Sequence, residues 1–457
     1  MPSSPVRDAA VVILAAGKGT RMRSDLPKVL HRVGNAPLLH HVMRTAQAFG
    51  ARRTVVVAGY GADQVQAAAE AFDPAAKLAI QDQQLGTGHA VLSARAALQG
   101  FEGDLYVLYA DTPFVTVETL FAMQAARERA DIAAVGFKAA DPGKYGRFIL
   151  GEESVLEAIV EAKDATPQQL AIDVCNSGLM AGDCQTMLGL LDRVGCENAQ
   201  GEYYLTDVIG LARGDGLRTE AVLCAEAETQ GINDRIQLAA AEAAFQSAAR
   251  TRAMADGATL LAPETVYFSA DTALGRDVVV EPNVVFGPGV RIGDGCVVKA
   301  FCHLEDTHLA ADVQIGPFAR ARGGTDLATG VRIGNFVELK KARVGQGSKA
   351  GHLSYLGDAT LGAGVNIGAG TITCNYDGIN KHQTVIDDGA FIGVQTALVA
   401  PRHVGKGAYT ATGGVLTEDV PDDALAIARA RQVNKPQGSA SRLRQMIAAK
   451  AKTQTKT

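Results

Sequence analysis

No stretch of the 457-residue chain stays apolar for the roughly 18–20 residues that a membrane-crossing helix needs. Neither sign of charge prevails. Lys and Arg number 44 and Asp and Glu 49, a net charge of −5, which argues against a chain-wide nucleic-acid binder. Cysteine is sparse. The seven present are an odd number, scattered from Cys175 to Cys374 with no C-x-x-C spacing. That argues against a disulfide framework and a cysteine-type zinc site, and it fits a reducing cytoplasm. The first residues lack a basic segment ahead of a cleavable apolar core, so no signal peptide is expected. Disorder is excluded as well, because apolar residues make up 47% of the chain and charged ones only 20%.

What the chain does have is glycine. It holds 50, about 11% against an average near 7%. Of these, 23 fall in residues 1–250 and 27 in the shorter stretch 251–457. The two halves therefore obey different structural rules. The length suggests about two or three domains, and either half can bury its own core.

In the first half, runs rich in Val, Ile and Leu recur at 9–17, 53–60, 104–111 and 131–139. Nearly continuous apolar strands are usually buried on both faces of a parallel sheet. Between them, residues 37–50 and 117–130 carry apolar spacing of three to four, with Gly50 as a stop. The alternation predicts a doubly wound, Rossmann-like α/β domain. Ligands in such sheets sit at the carboxyl ends of strands. That rule points to the loops after Ala16, after Leu108 and around Gln81–Gly88.

The first loop reads Leu14-Ala-Ala-Gly-Lys-Gly-Thr-Arg-Met22. Gly17 and Gly19 allow close approach of backbone to a phosphate, and a following helix would add its positive end. Lys18, Arg21 and Lys28 supply cations nearby. As a generic motif the match is poor. Met22 stands where the dinucleotide fingerprint has its third glycine, and the Walker pattern is absent. On its glycines alone, the loop reads equally as a tight strand-to-helix turn.

The wider string carries more. Leu14–Met22 with Leu26-Pro-Lys-Val-Leu30 resembles the signature of sugar-nucleotidyltransferases. In order follow Gln81, Leu85-Gly-Thr-Gly-His-Ala90, Tyr109-Ala-Asp111, Tyr145-Gly-Arg147 and Val160-Glu-x-Lys-Asp164. Asn176-Ser-Gly178, Gly201-Glu-Tyr-Tyr204 and Gly231-Ile-Asn233 complete the series. Together they resemble the uridylyltransferase half of the bifunctional N-acetylglucosamine-1-phosphate uridylyltransferase / glucosamine-1-phosphate N-acetyltransferase family.

The resemblance implies that Leu14, Ala15, Ala16 and Gly17 meet UTP, with Arg21 and Lys28 at its triphosphate. Gln81, Gly86 and Thr87 would read the uracil. Gly146, Glu161 and Asn176 would hold the sugar phosphate. Asp111 and Asn233 would bind Mg²⁺, a hard cation that takes few protein oxygens and shares phosphate oxygens. Asn233 would also belong to the nucleotide site. Ala110 stands where the family commonly has glycine, and its methyl is expected to narrow the nucleotide pocket slightly.

Residues 235–257 are alanine-rich, with no glycine before Gly257, and predict a long stiff helix linking the domain 1–234 to the domain 258–457. Beyond it the period becomes six. Apolar residues fall at Phe268, Leu274, Val280, Phe286, Ile292, Val298 and Leu304, then at Leu309, Ile315, Ala321, Leu327, Ile333 and Leu339. Later members are Leu361, Ile367, Ile386, Ile392, Leu398 and Val404. This predicts a hexapeptide-repeat parallel β-helix, a triangular prism with glycines at its corners. A solenoid can be purely structural. However, Cys374–His382 breaks the sixes with a polar loop, where function tends to sit.

The strings Gly334–Lys341, Gly347–Gly357, Asn366–Gly370 and Thr373–Gly378 resemble the acetyltransferase half of the same family, whose β-helix is left-handed. The resemblance makes His352 the general base, a task suited to a side chain that titrates near neutrality. Arg322 and Lys340 would bind the sugar phosphate, while Tyr355 and Asn366 hold the sugar. Asn375 and Tyr376 would help hold the sugar and position its amine, and are also carried over as acetyl-CoA-binding residues. Ala369, Val394, Thr412 and Arg429 match the acetyl-CoA surface, although Val394 and Thr412 depart from the family's small or hydroxyl residues. After Asp423 no acidic residue appears, leaving a basic tail.

The implied protein is a cytoplasmic homotrimer with no nucleic-acid or membrane partner. It would acetylate glucosamine 1-phosphate and couple the resulting N-acetylglucosamine 1-phosphate to UTP. The rivals are a sugar-1-phosphate nucleotidyltransferase with a regulatory β-helix and a non-catalytic scaffold.

Overall fold

The computed structural model describes residues 7–436 and 438–454. The chain forms two compact units. One runs to Thr251 and takes in Phe268–Ala270; the other holds Arg252–Tyr267 and the chain from Asp271 onward.

The first unit is built on one sheet. Its main path runs Thr219–Cys224, Ile132–Lys138, Val174–Asp183, Asp104–Tyr109, Ala9–Ala15, Arg53–Ala58 and Lys77–Ile80. All neighbours are parallel except Val174–Asp183, which runs antiparallel to both of its neighbours. A hairpin of Arg147–Leu150 and Leu156–Val160 joins through the Cys175–Arg147 pair. The four expected strands all form. Those between 147 and 183 were not anticipated, because functional-looking motifs occupy their sequence.

Alternation inside the strands explains the two buried faces. Val12, Leu14, Val55, Val57 and Val107 enter one core, and Val11, Ile13, Val56, Tyr106 and Leu108 the other. The helices Leu38–Phe49 and Val117–Arg127 cover the second of these faces. Gly50 ends the former in a left-handed cap at φ 82°, as its position predicted. Strand Ala9–Ala15 pairs with Arg53–Ala58 on one side and Asp104–Tyr109 on the other. The strand order therefore reverses there, and α/β sheets open a crevice at such a point.

The alanine-rich segment forms a 21-residue helix, Arg235–Ala255. Ala241, with Leu238 and Phe245, packs on Val33 and Leu38 of the first unit. Gln246 clasps the Phe268 backbone by accepting from its N–H and donating to its carbonyl.

In the second unit, three parallel sheets of ten, eight and eight strands each receive one strand per coil. This is a left-handed parallel β-helix. Of the predicted inward residues, only Leu274 escapes burial, and it is half-buried. Where the sixes slip, five-residue steps intervene, as from Leu304 to Leu309, and the register stays intact. The polar loop before Thr384 widens one coil without breaking the ladder, since Leu361 still faces Ile386.

The glycines act differently from expectation. Most that follow an inward residue do not need left-handed φ; the coil stacked on them leaves no room for a side chain. A methyl at Gly334 would lie 1.8 Å from the Gly351 carbonyl oxygen, and one at Gly393 2.4 Å from that of Thr410. The left-handed positions are shared between other glycines, such as Gly289, Gly295 and Gly347, and residues such as Asp277, Asn283 and Phe301.

Candidate active sites

The nucleotide-type cleft opens at the carboxyl ends of Ala9–Ala15 and Asp104–Tyr109. It is lined by Leu14, Ala15, Ala16, Gly17, Lys28, Gln81, Gly86, Thr87 and Asp111, all singled out from the sequence. Gly17 faces open space, with no atom within 4 Å of where a side chain would start. Gly19 has a different reason. Its φ is 59°, and a methyl there would strike Lys28 Cβ at 2.6 Å. The helix expected after the loop does not form. Thr20–Met22 is a single 3-10 turn closed by Arg23 at φ 50°, so this loop brings no helical dipole to the cleft. Arg21 is exposed and does not line it.

Lys28 is mostly buried. Its ammonium pairs with Asp111 Oδ2 and donates to Asn233 Oδ1 at 3.0 Å. One cation thus bridges the two oxygens assigned to a metal. The bond from Ile232 N–H to the Asp111 carbonyl, 2.9 Å, is what brings the distant segment to Asp111. Among the described residues no three His, Cys, Asp or Glu side chains gather at one point. Two hard oxygens converging on one cation fit Mg²⁺, which would draw its remaining ligands from substrate and water.

Gly146, Glu161 and Asn176 come together. Asn176 N–H donates to the Gly146 carbonyl at 2.8 Å, and the Glu161 carboxylate lies beside Gly146. Burial pushes the Glu161 carboxyl upward, the Thr206 hydroxyl opposes this, and Asp164 and Asp207 add to the rise. Tyr109 lines the cleft with Asp111 and Glu161 in its field. Burial, then those charges, hold its hydroxyl protonated.

Thr87 is occupied internally. Its hydroxyl accepts from Leu205 N–H at 3.0 Å and bonds Tyr109. Ala110 corrects another expectation. It is fully buried in the core with Ile13 and Leu108, and does not line the cleft, so its methyl cannot narrow the pocket. Sequence reasoning missed Gln84, whose amide donates to the Ala16 carbonyl, and Glu202; both line the cleft. Each sat inside or beside a recognised string, which was the available signal.

In the β-helix, His352 is exposed and pairs in register with Asn335 on the previous coil. His352 Nδ1 donates to Asn335 Oδ1 at 2.7 Å. That bond fixes the tautomer and leaves Nε2 as a proton acceptor. The same registers, continued one coil at a time, carry the edge from His352 to Ala369, Val394 and Thr412. Arg429 Nη1 reaches the Thr412 carbonyl at 2.8 Å. Ala369, Val394, Thr412 and Arg429, four of the residues assigned to acetyl-CoA, therefore lie along one edge of the prism.

The sugar residues occupy a neighbouring face. Arg322 and Lys340 are cross-strand partners, and Lys340 faces Gly357. At Gly357 a methyl would meet Tyr355 Oη at 2.4 Å and Asn375 Nδ2 at 2.7 Å, so the missing side chain leaves room for both groups. Asn375 also donates to Asp358. Glu338, absent from the sequence-based set, accepts from Arg322 Nε at 3.0 Å and orients that guanidinium. Asn366 lies on the ten-stranded sheet beside Lys349, and Tyr376 projects from the polar loop with Lys381 over its ring. Asn335 and Glu338 both lie in the quoted string Gly334–Lys341; only the fold shows what they touch.

Comparison with known proteins completes the picture. Residues 11–173 match the MobA-like NTP transferase domain, and residues 271–305 the bacterial transferase hexapeptide (six repeats). The chain is 57% identical to the bifunctional protein GlmU of Ruegeria sp. (strain TM1040), over 98% of this chain and 99% of that one. It is 52% identical to that of Jannaschia sp. (strain CCS1), over 98% of both chains. With that of Paracoccus denitrificans (strain Pd 1222) the identity is 54%, over 98% of this chain and 99% of the relative. The chain belongs to the GlmU family of bifunctional proteins.

Proposed function

We propose that residues 258–457 acetylate glucosamine 1-phosphate from acetyl-CoA. Residues 1–234 then transfer uridylyl from UTP to the N-acetylglucosamine 1-phosphate so made, releasing pyrophosphate. The observation that carries this reading is a near full-length likeness to bifunctional relatives in a chain that keeps both residue clusters together.

In the first unit the sugar phosphate oxygen attacks the α-phosphorus of UTP, and the bond to pyrophosphate breaks. Such a transfer needs positioning and charge neutralisation more than covalent help. Asp111 and Asn233 would hold Mg²⁺, which when bound neutralises phosphate charge. Lys28, released from those two oxygens, turns its ammonium to the phosphates. Glu161 and Asn176 hold the sugar phosphate so that its oxygen faces the cleft.

In the second unit the amine of glucosamine 1-phosphate attacks the thioester carbonyl. His352 Nε2 takes the proton the amine sheds, and coenzyme A leaves as the thiol. Asn335 keeps the imidazole in the accepting tautomer. Arg322 and Lys340 fix the sugar phosphate. The acting protein is a cytoplasmic homotrimer. Flat prism faces pack about a threefold axis, and a site near an edge can take residues from a neighbouring subunit.

One coupled assay tests the reading. Purified protein receives glucosamine 1-phosphate, acetyl-CoA, UTP and Mg²⁺, and free thiol and pyrophosphate are followed separately. Both should be released, and pyrophosphate release should depend on prior acetylation. Pyrophosphate without thiol would favour the monofunctional rival, and neither product would favour a scaffold.

A further inference from the structure

Gln81 is buried at the floor of the cleft, and its amide orientation is decided by its neighbours. Nε2 lies 3.1 Å from the Gly86 carbonyl oxygen and 3.1 Å from His89 Nδ1. A carbonyl can only accept, so the atom facing it must be the amide nitrogen. With one N–H on Gly86, the second falls to His89, whose Nδ1 accepts. Both donors of Gln81 are then consumed by the protein. Its oxygen takes no hydrogen bond among the described residues, and the side chain lines the cleft.

The Gly86 carbonyl cannot drift. Ala90 N–H donates to it at 3.1 Å. The loop is also zipped to Tyr203, whose N–H donates to Leu85 O and whose carbonyl accepts from Gly88 N–H, both at 2.8 Å. A methyl at Gly86 would lie 2.6 Å from Tyr203 O, so the chains meet backbone to backbone. The string Gly201–Tyr204 thus has a task that its residue types did not disclose.

We propose that His89 is a positioning residue for base selectivity. By taking the second amide hydrogen, it locks Gln81 with only an acceptor free for the nucleobase. This inference rests on the reading of the cleft as the uridylyltransferase site. Uracil presents an N–H at N3, and cytosine presents a lone pair at the same atom. A fixed acceptor satisfies the first and opposes the second, and sites built this way discriminate strongly. A free glutamine could flip its amide and serve both.

The test compares kcat/KM for UTP and CTP, with N-acetylglucosamine 1-phosphate and Mg²⁺, in the full chain and two variants. H89L removes the acceptor, while H89N restores one near the place of Nδ1. The wild type should prefer UTP by at least a hundredfold. H89L should cut that ratio by tenfold or more, and H89N should keep it within about threefold. A calorimetric melt of each variant, compared with the parent's, reports that the first unit is folded. An unchanged ratio in H89L, equal loss of ratio in H89N, or a wild type that uses both nucleotides alike would each overturn the inference. A wild type that releases thiol but no pyrophosphate from UTP would instead overturn the reading of the cleft, and the inference with it.

Discussion

At the scale of single residues, the two clusters should separate cleanly in function. Asp111→Ala removes one of two oxygens that meet a single cation, and charge neutralisation is the main demand of the reaction. Pyrophosphate release should fall at least a hundredfold while thiol release persists. UDP-sugar formation by that variant at ordinary Mg²⁺ would refute the metal assignment. His352→Ala should do the reverse, abolishing thiol release while pyrophosphate release from N-acetylglucosamine 1-phosphate survives. Glu161 gives a pH prediction. Burial raises its carboxyl, so the charged form, proposed to accept from the sugar portion of the substrate, is present above the raised pKa and lost as pH falls through it. The acid limb of kcat/KM for N-acetylglucosamine 1-phosphate should therefore lie at higher pH than an ordinary Glu near 4.3 would place it. Glu161→Gln should lower kcat/KM and remove that limb; an unchanged limb in the variant would assign it elsewhere.

At the scale of elements, what the sequence disclosed and what it hid follow from physics. The six-residue period was plain because each inward side chain is buried among its own kind, so patterning survives shifts such as Leu304 to Leu309. The purpose of the glycines was not plain, since composition cannot tell a left-handed corner from a lack of space between coils. Gly334 and Gly351 make the distinction measurable. They lie on neighbouring coils, and neither has left-handed φ. Gly334→Ala drives a methyl into the Gly351 carbonyl at 1.8 Å and should destabilise the β-helix by about 3 kcal/mol. Gly351→Ala meets nothing within 4 Å and should change stability by less than about 0.5 kcal/mol. Chemical denaturation read by circular dichroism decides it, and similar midpoints for the two variants would refute the stacking account. In the first unit, Lys28, Asp111 and Gln81 were legible because they sit in dense local strings. The pairing of Asn233 with Asp111 was hidden, because the bond from Ile232 joins segments more than a hundred residues apart.

At the scale of the whole molecule, two units with different interiors should respond differently to acid. His31, His40 and His41 lie close together in the first unit, and all three have lowered pKa values. Burial is the leading cause at each, with Arg235 acting on His31, and Arg44 on His40 and His41. His41 Nε2 donates to the Val33 carbonyl at 2.9 Å and His40 Nε2 to that of Ala68 at 2.8 Å, which opposes the shift without cancelling it. The folded form therefore binds fewer protons than the unfolded chain, whose histidines titrate near 6.5. The stabilisation from keeping them neutral is complete above about pH 6.5 and is lost as pH falls below it. The Tm of the first unit should drop steadily between about pH 6.5 and 5, with UDP-sugar formation lost in parallel. Replacing His40 and His41 by Gln keeps a donor for each carbonyl and removes two titrating groups. The double variant should lose part of that pH dependence and otherwise melt close to the parent at pH 7.5. Scanning calorimetry from pH 5 to 7.5 provides the slopes. If the variant's Tm fell as steeply as the parent's, the acid response would belong to other groups, and the buried histidines would be bystanders.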